Sequence, residues 1–549
     1  MNLEKIRLGL ALALAFTALL LMNAWQAEQR RMAVTEPATE TAIADQTTLP
    51  SPPMADPATA PARPAVSTEA ARPATSQVLT LRSTLLEVGI GTLGGEVEEV
   101  HLLDYPQTLA PGSPPVHLMT AAPDRRYHFQ SGWMNTEHVI GPDTLFRVSR
   151  PPSEDVKGTV SLELSTTTPE GIEFSKRFSI TAGSYVVRVE WTVRNGGTSV
   201  RTLRPWSQIQ RHWTDAHAQG DTYTYTGAAW STPEDRYSRK TFEDMRTAPL
   251  EVKATDGWVA MLQHYFVSAV IPPAGEPWLL YSRAASGDRY IIGASGPQIE
   301  LAPDAAATRQ IQYFVGPKLQ DVLEAVAPGL DLTVDYGALW IFAKPLWWLM
   351  SALHTLTGNW GWAIVLLTVS VKVAFYRLSA ASYRSMAHLR RVQPKVQALR
   401  ERYKDDPAQM QKAMMDIYRE EKINPLGGCL PLLVQAPVFF SLYWVLLESV
   451  ELRQAPWILW IEDLSAPDPW FILPVVMGAT MILQTRLNPP APDPMQQRMM
   501  EIMPIVFTGF TAFFASGLVL YWLVNNVLSI GQQWLITRSI EAEPQPAKG

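Results

Sequence analysis

Apolar and polar residues alternate differently in three stretches of this chain. Positions 8 to 25 form one apolar run behind Lys5 and Arg7. The run is longer than the core of a cleavable signal, and Asn23-Ala24-Trp25-Gln26 offers no small-x-small cleavage site. Residues 1–25 are therefore expected to be a retained transmembrane anchor with its N-terminus in the cytoplasm. From Val78 to about Phe314 the period is two: Val186-Val187-Arg188-Val189-Glu190-Trp191-Thr192-Val193 puts every second residue on one face, and Gly94-Gly95 and Asn195-Gly196-Gly197 mark turns. That pattern predicts an all-β domain of two packed sheets over residues 78–335. A short helical pattern at 319–327 leads into an interfacial segment, 336–357. Five apolar stretches follow, at about 358–377, 429–449, 470–487, 499–515 and 517–537, several close to the roughly 17–20 residues that cross a bilayer.

The segments between these elements orient them. Residues 26–77 are rich in Pro, Ala and Thr and bury too little apolar surface to offset chain entropy, so a disordered linker is expected. The loop from Arg377 to Lys422 carries eleven basic residues against six acidic ones, which places it in the cytoplasm. The β domain and the loop from Glu451 to Pro469 then lie outside, and Arg486, Arg498 and Arg538 inside. Trp340, Trp347, Trp348, Trp360, Trp457, Trp460 and Trp470 gather at the outer face. Six spans with both termini in the cytoplasm satisfy these signals: a multi-pass chain whose helical core covers 358–540, with a short tail at 541–549. Within the cytoplasmic loop, Met386, Leu389, Val396, Leu399 and Tyr403 share one helical face, and Met410, Met414 and Ile417 another after Pro407. A helical hairpin over 378–428 is expected, with Pro394 kinking its first arm or delaying its start. The hairpin either only connects two spans or docks something anionic, through residues such as Arg390, Arg391 and Lys395.

Composition removes several classes. The 549 residues carry a net charge of −6 and one cysteine, which excludes a disulfide framework, a cysteine zinc cluster and a global basic footprint for nucleic acid. Gly89-Ile90-Gly91-Thr92-Leu93-Gly94 fits G-x-G-x-x-G but lies in a strand-rich region without a βαβ unit. His212, Asp215 and His217 are set aside as a chance surface grouping, and Leu426-Gly427-Gly428-Cys429 lies mid-chain, where lipidation does not occur. No Walker A, H-E-x-x-H or G-x-S-x-G pattern occurs. The reading is of a protein that is not an enzyme, uses no cofactor and binds no metal.

The remaining chemistry lies in polar residues within apolar stretches. Thr368 and Lys372 are four apart and share a helix face. Gln435 lies six residues into the next stretch, and Asn525, Ser529 and Gln532 form a stripe on the last. Counted at about 1.5 Å per residue from the inner ends, all but Asn525 fall in the cytoplasmic half of the bilayer. A Lys near the bilayer centre costs about 2.5 to 3.5 kcal/mol, so Lys372 either faces a wet recess or snorkels inward. Gln435 and Asn525 either line the same recess or bond helix to helix. Together the positions suggest a half-depth groove open to the cytoplasm. An alternative class is a secondary transporter with a periplasmic binding domain, although transporters usually show internal repeats and none is evident.

Four strings bring a family into view. They are Asn424-Pro425-Leu426-Gly427-Gly428-Cys429 followed by Gln435; Val450-Glu451-Leu452-Arg453-Gln454-Ala455-Pro456; Asp493-Pro494-Met495-Gln496-Gln497; and Ser516-Gly517-Leu518-Val519-Leu520-Tyr521. With Gly257 to Phe266 and Asp331 to Gly337, the chain closely resembles the YidC/Oxa/Alb family of membrane protein insertases, in its Gram-negative form. The resemblance implies a multi-domain inner-membrane protein: an all-β periplasmic supersandwich, a five-helix membrane bundle and a cytoplasmic helical hairpin that receives substrate. It implies a substrate groove including Thr368, Lys372, Gln435, Tyr521, Trp522, Asn525 and Ser529. The partners it implies are nascent membrane proteins, the Sec translocon, the ribosome or targeting factors, and membrane lipids. The family's groove commonly has Arg where this chain has Lys372, so the charge is kept and the bidentate fork is not.

Overall fold

The alternation along Val186–Asn195 is resolved into a strand whose Val187, Val189, Trp191 and Val193 are fully buried while Arg188, Glu190 and Arg194 face solvent. This computed structural model describes residues 76–134, 139–214, 225–403, 406–420, 430–487 and 494–541. The 1–25 anchor, most of the linker, Asp215, His217 and the Asn424–Cys429 string lie outside the described residues. Among the described residues, the strands build two antiparallel sheets of eleven and nine strands. The first runs through Val78–Arg82, Leu86–Gly91, Glu96–Pro106, Tyr127–Met134, Arg201–His212, Arg289–Ser295, Pro277–Ala285 and Glu251–Thr255. The second is centred on Phe266–Ile271, Ala306–Pro317, Val186–Asn195 and Ile172–Thr181.

The two inner faces meet over large side chains. Trp191, Trp206, Trp258, Trp278, Phe129, Phe178, Tyr313 and Phe314 are all buried, and Phe129 stacks on Tyr313 at 4.2 Å between the sheets. One set of polar groups inside this domain is bonded in a chain, which offsets the cost of burying them. Tyr281 donates to Gln208 at 2.9 Å, Gln208 to Gln130 at 2.8 Å, and Gln130 to Glu96 at 2.9 Å. Lys176 crosses from the second sheet and donates to the carbonyls of Gly94, Gly95 and Ser131 at 2.6, 3.1 and 2.7 Å.

Two helices accompany the strands, α1 (Phe242–Thr247) and α2 (Gln320–Val326). The C-terminal part is helical: α3 (Trp340–Thr357), α4 (Trp360–Ala374), α5 (Tyr376–Arg402), α6 (Pro407–Glu420), α7 (Leu430–Glu448), α8 (Ile472–Leu487), α9 (Pro494–Thr511) and α10 (Ser516–Glu541). Asn359 starts α4 by accepting from the Trp362 amide at 3.1 Å, an N-cap that satisfies one orphan donor. α10 packs against α8, α4 and α5. Gly478 lets α8 approach α9, since a Cβ there would sit 2.0 Å from Thr508 Oγ1. α6 packs on α5 through Val392, Val396 and Tyr418, with Met414 and Ile417 against them. The helix continues through Pro394, with neither a break nor a late start.

The bend comes earlier than Pro394. α4 ends at Ala374, and the pair Trp360–Ala374 and Tyr376–His388 is bent by 67°. Among the described residues no single helix is long and apolar enough to cross a membrane, whereas this bent pair passes the same test of length and composition. α10 has the length, 26 residues, but carries Asn525, Asn526, Ser529, Gln532 and Gln533, which lower its hydropathy. Residues 444–466, the end of α7 and the loop after it, cluster with the β domain and not with the helices on either side.

Candidate functional site

Three helices bring the polar side chains together. Lys372 on α4 donates from Nζ to Ser529 Oγ on α10 at 2.7 Å, and Ser529 donates in turn to the Asn525 carbonyl, one turn back, at 2.6 Å. The Asn525 side chain accepts from Gln435 on α7 at 3.2 Å. A continuous polar chain therefore runs Lys372, Ser529, Asn525, Gln435. Lys372, Gln435 and Asn525 are only half-buried, so this chain borders accessible space. One ammonium hydrogen is committed to Ser529, leaving two of three donors for other partners.

The stripe on α10 forms because 525, 529 and 532 follow the helical repeat. Gln532 continues it, donating to the Tyr376 carbonyl at 3.3 Å. Toward the other end of α10, Tyr521 is buried and its ring lies 6.2 Å from that of Phe439. Trp522 stacks on Phe439 at 5.5 Å and meets Phe507 at 4.9 Å and Phe514 at 5.9 Å. The arrangement is polar at one end and aromatic at the other, on the same helices.

Not every expected residue joins. Thr368 is buried and donates back to the Ile364 carbonyl at 2.7 Å, so its hydroxyl is satisfied within its own helix. Arg390, Arg391 and Lys395 lie on α5. Lys395 is exposed, and the side chains of Arg390 and Arg391 lie outside the described residues. Sequence reasoning missed Tyr383 on α5, which packs against Ile536 of α10, and Asn526, which donates to Thr480 on α8 at 3.4 Å. Asn526 could have been found from its neighbour, since adjacent Asn residues on one helix face different partners. Tyr383 carried no signal, because it lies in the basic stretch beyond the first apolar run.

Residues 352–543 match the family described as the 60Kd inner membrane protein, and residues 78–349 match the YidC periplasmic domain. Together with the two-sheet domain and the helical C-terminal part, these matches define an inner-membrane protein with a large periplasmic β domain. The chain is 45% identical over 481 residues to the membrane protein insertase YidC of Stutzerimonas stutzeri, covering 86% of each chain. It is 44% identical over 482 residues to that of Methylococcus capsulatus, covering 87% of this chain and 88% of the relative. The chain belongs to the YidC family. A solved structure titled as an active YidC insertase with its first transmembrane domain resolved aligns with 83% of this chain and 94% of its own, at 19% identity and a TM-score of 0.38.

Proposed function

We propose that this protein is an insertase that moves hydrophobic segments from the cytoplasm into the inner membrane, alone or with the Sec translocon. The observation that carries the reading is the polar chain Lys372, Ser529, Asn525, Gln435 joining three helices of the C-terminal part. A substrate's polar flank must be moved partway through a medium in which a charged residue costs about 2.5 to 3.5 kcal/mol. A hydrated recess lined by these donors and acceptors lowers that cost, while the apolar segment leaves sideways into lipid. The short helices support the same reading. α4 has 15 residues and α8 has 16, about 22 to 24 Å of rise against a hydrocarbon core of about 30 Å. A bilayer thinned around them shortens the distance a flank must travel.

In this reading the five C-terminal apolar stretches span the membrane, both chain termini are cytoplasmic, and the pair α5 and α6 forms a cytoplasmic hairpin. The hairpin receives substrate from the ribosome or a targeting factor through Arg390, Arg391 and Lys395, and α3 lies along the outer surface, with Trp340, Ile341, Phe342 and Trp348 exposed to lipid. Reconstitution of the full chain into liposomes tests the proposal. A small membrane protein supplied from outside should become inserted, with its translocated flank protected from protease. Uptake of a solute without insertion would favour a transporter instead.

A further inference from the structure

Between α7 and α8 the chain makes one turn whose residues go against both backbone preference and solvation. Ile461 donates its amide to the Ile458 carbonyl at 3.2 Å, closing a turn over Ile458-Leu459-Trp460-Ile461, and the Trp457 amide donates to the Ile461 carbonyl at 2.9 Å. Of the two central residues only Leu459 stands at positive φ, 56°. A turn of this kind ordinarily takes glycine at that position, and for a bulky side chain the left-handed region is an outlier. Leu459 is also 82% exposed, with Ile458 exposed beside it. Water and backbone would both favour glycine or asparagine there, so the leucine answers to something outside the chain.

The turn is held out on a firm base. Asp463 accepts from the backbone amides of Gln454 and Ser465 at 3.0 and 2.8 Å, and the Leu464 amide donates to the Ala455 carbonyl at 3.0 Å. Arg453 donates to the Pro106 carbonyl at 2.8 Å, and Glu448, the last residue of α7, is buried against Lys318 at 3.7 Å. The tip above this base, Pro456-Trp457-Ile458-Leu459-Trp460-Ile461, carries no charge. Trp457 and Trp460, on either side of the exposed pair, are half-exposed, and tryptophan is the side chain that settles where acyl chains meet headgroups. The chain on both sides leads into apolar helices, α7 ending at Glu448 and α8 beginning at Ile472.

We propose that the turn 458–461 is a lipid-binding finger: Ile458 and Leu459 enter the outer leaflet to a depth of about 5 to 10 Å, with Trp457 and Trp460 at headgroup level, and anchor the loop to the bilayer. This rests on the reading of α7 and α8 as membrane spans, and does not depend on whether the chain inserts other proteins. The test uses the full chain in nanodiscs containing a phospholipid with a diazirine high on one acyl chain. After irradiation, lipid adducts mapped by peptide mass spectrometry should fall on residues 456–461 and on the exposed Val475 and Val476 of α8. Leu459→Gly and Leu459→Asn both suit the left-handed turn, so the fold is kept. Each should cut the tip adducts at least about threefold, since interfacial binding follows buried apolar area, and leave those on α8 unchanged. Leu459→Cys, with Cys429→Ser, should react with a charged thiol reagent at least about tenfold more slowly than Glu462→Cys, because an apolar surrounding keeps a thiol protonated. Equal reactivity at 459 and 462, or tip adducts that survive both substitutions, overturns the proposal. A tip without adducts beside a labelled α8 overturns it too, and slow thiol reactivity in that case assigns the turn to a protein partner. Adducts missing from α7 and α8 alike overturn the span reading instead.

Discussion

Replacing Lys372 probes the electrostatic part of the mechanism most directly. Its ammonium donates to Ser529 at 2.7 Å, and Ser529 keeps its own bond to the Asn525 carbonyl whatever stands at 372. Lys372→Ala therefore removes a charge and one donor while the α10 end of the polar chain stays satisfied. A wet ion pair between Lys372 and an acidic residue in a substrate's flank contributes about 0 to 1 kcal/mol, which is at most about fivefold in rate. Lys372→Ala should slow substrates with acidic flanks by up to about fivefold and leave neutral flanks unchanged. Lys372→Arg should stay within about twofold, because the charge is kept. Lys372→Glu should slow acidic flanks further and speed basic ones. The assay is protease protection of flanks in liposomes carrying each variant, with one apolar segment and three flank charges. Lys372→Cys, with Cys429→Ser, should react with a water-soluble thiol reagent added from the cytoplasmic side. Equal treatment of acidic and basic flanks by all three variants, with an unreactive cysteine, would refute the reasoning and leave Lys372 as a structural residue.

Further outcomes follow from other parts of the molecule. Lys176→Met takes a shared donor from three buried carbonyls; at roughly 1 kcal/mol for each lost bond, thermal unfolding of the β domain followed by tryptophan fluorescence should fall by about 10 °C, and a shift under about 3 °C would contradict this. Gln435→Leu together with Asn525→Leu removes the bond between α7 and α10 and should reduce insertion of polar flanks more than it reduces thermal stability, measured side by side. Burial lifts the Glu451 carboxyl to about 7, with Asp321 adding to the rise. The folded-state value lies above the unfolded one, so its contribution, about 3 kcal/mol at most, is complete below about pH 4.5 and lost as pH rises through 7. Hydrogen exchange in residues 450–466, corrected for its intrinsic rise with pH, should accelerate between about pH 4.5 and 7 and level off above, and Glu451→Gln should abolish that dependence. Reversing Arg390, Arg391 and Lys395 to Glu should weaken ribosome binding in a salt-dependent way, and unchanged binding would return the hairpin to a connector.

Local pattern was enough for the elements. Period-two alternation in Val186–Asn195 has one low-energy outcome, a half-buried strand, and Pro407 opens α6 because a residue without an amide hydrogen loses nothing at a helix start. At Pro394 the helix runs on without the late start that the proline allowed, and the bend at Ala374 was not legible, since it stands in the middle of an apolar and polar run with no proline to announce it. Candidate groove residues were legible too, because a lysine or an amide in an apolar stretch is costly enough to need a reason. Their partners were not. Lys372 meets Ser529 across 157 positions and Arg453 meets Pro106 across 347, and nothing in a helical or strand window encodes a neighbour at that separation. Thr368 lies one turn from Lys372 on the same helix face, yet it turns back on its own helix, since a hydroxyl reaches the carbonyl four residues earlier. The assignment of residues 444–466 to the β domain was likewise decided only in the folded chain. An ion pair and a set of carbonyl acceptors hold that loop, and they exist only once strands distant in sequence have closed into sheets.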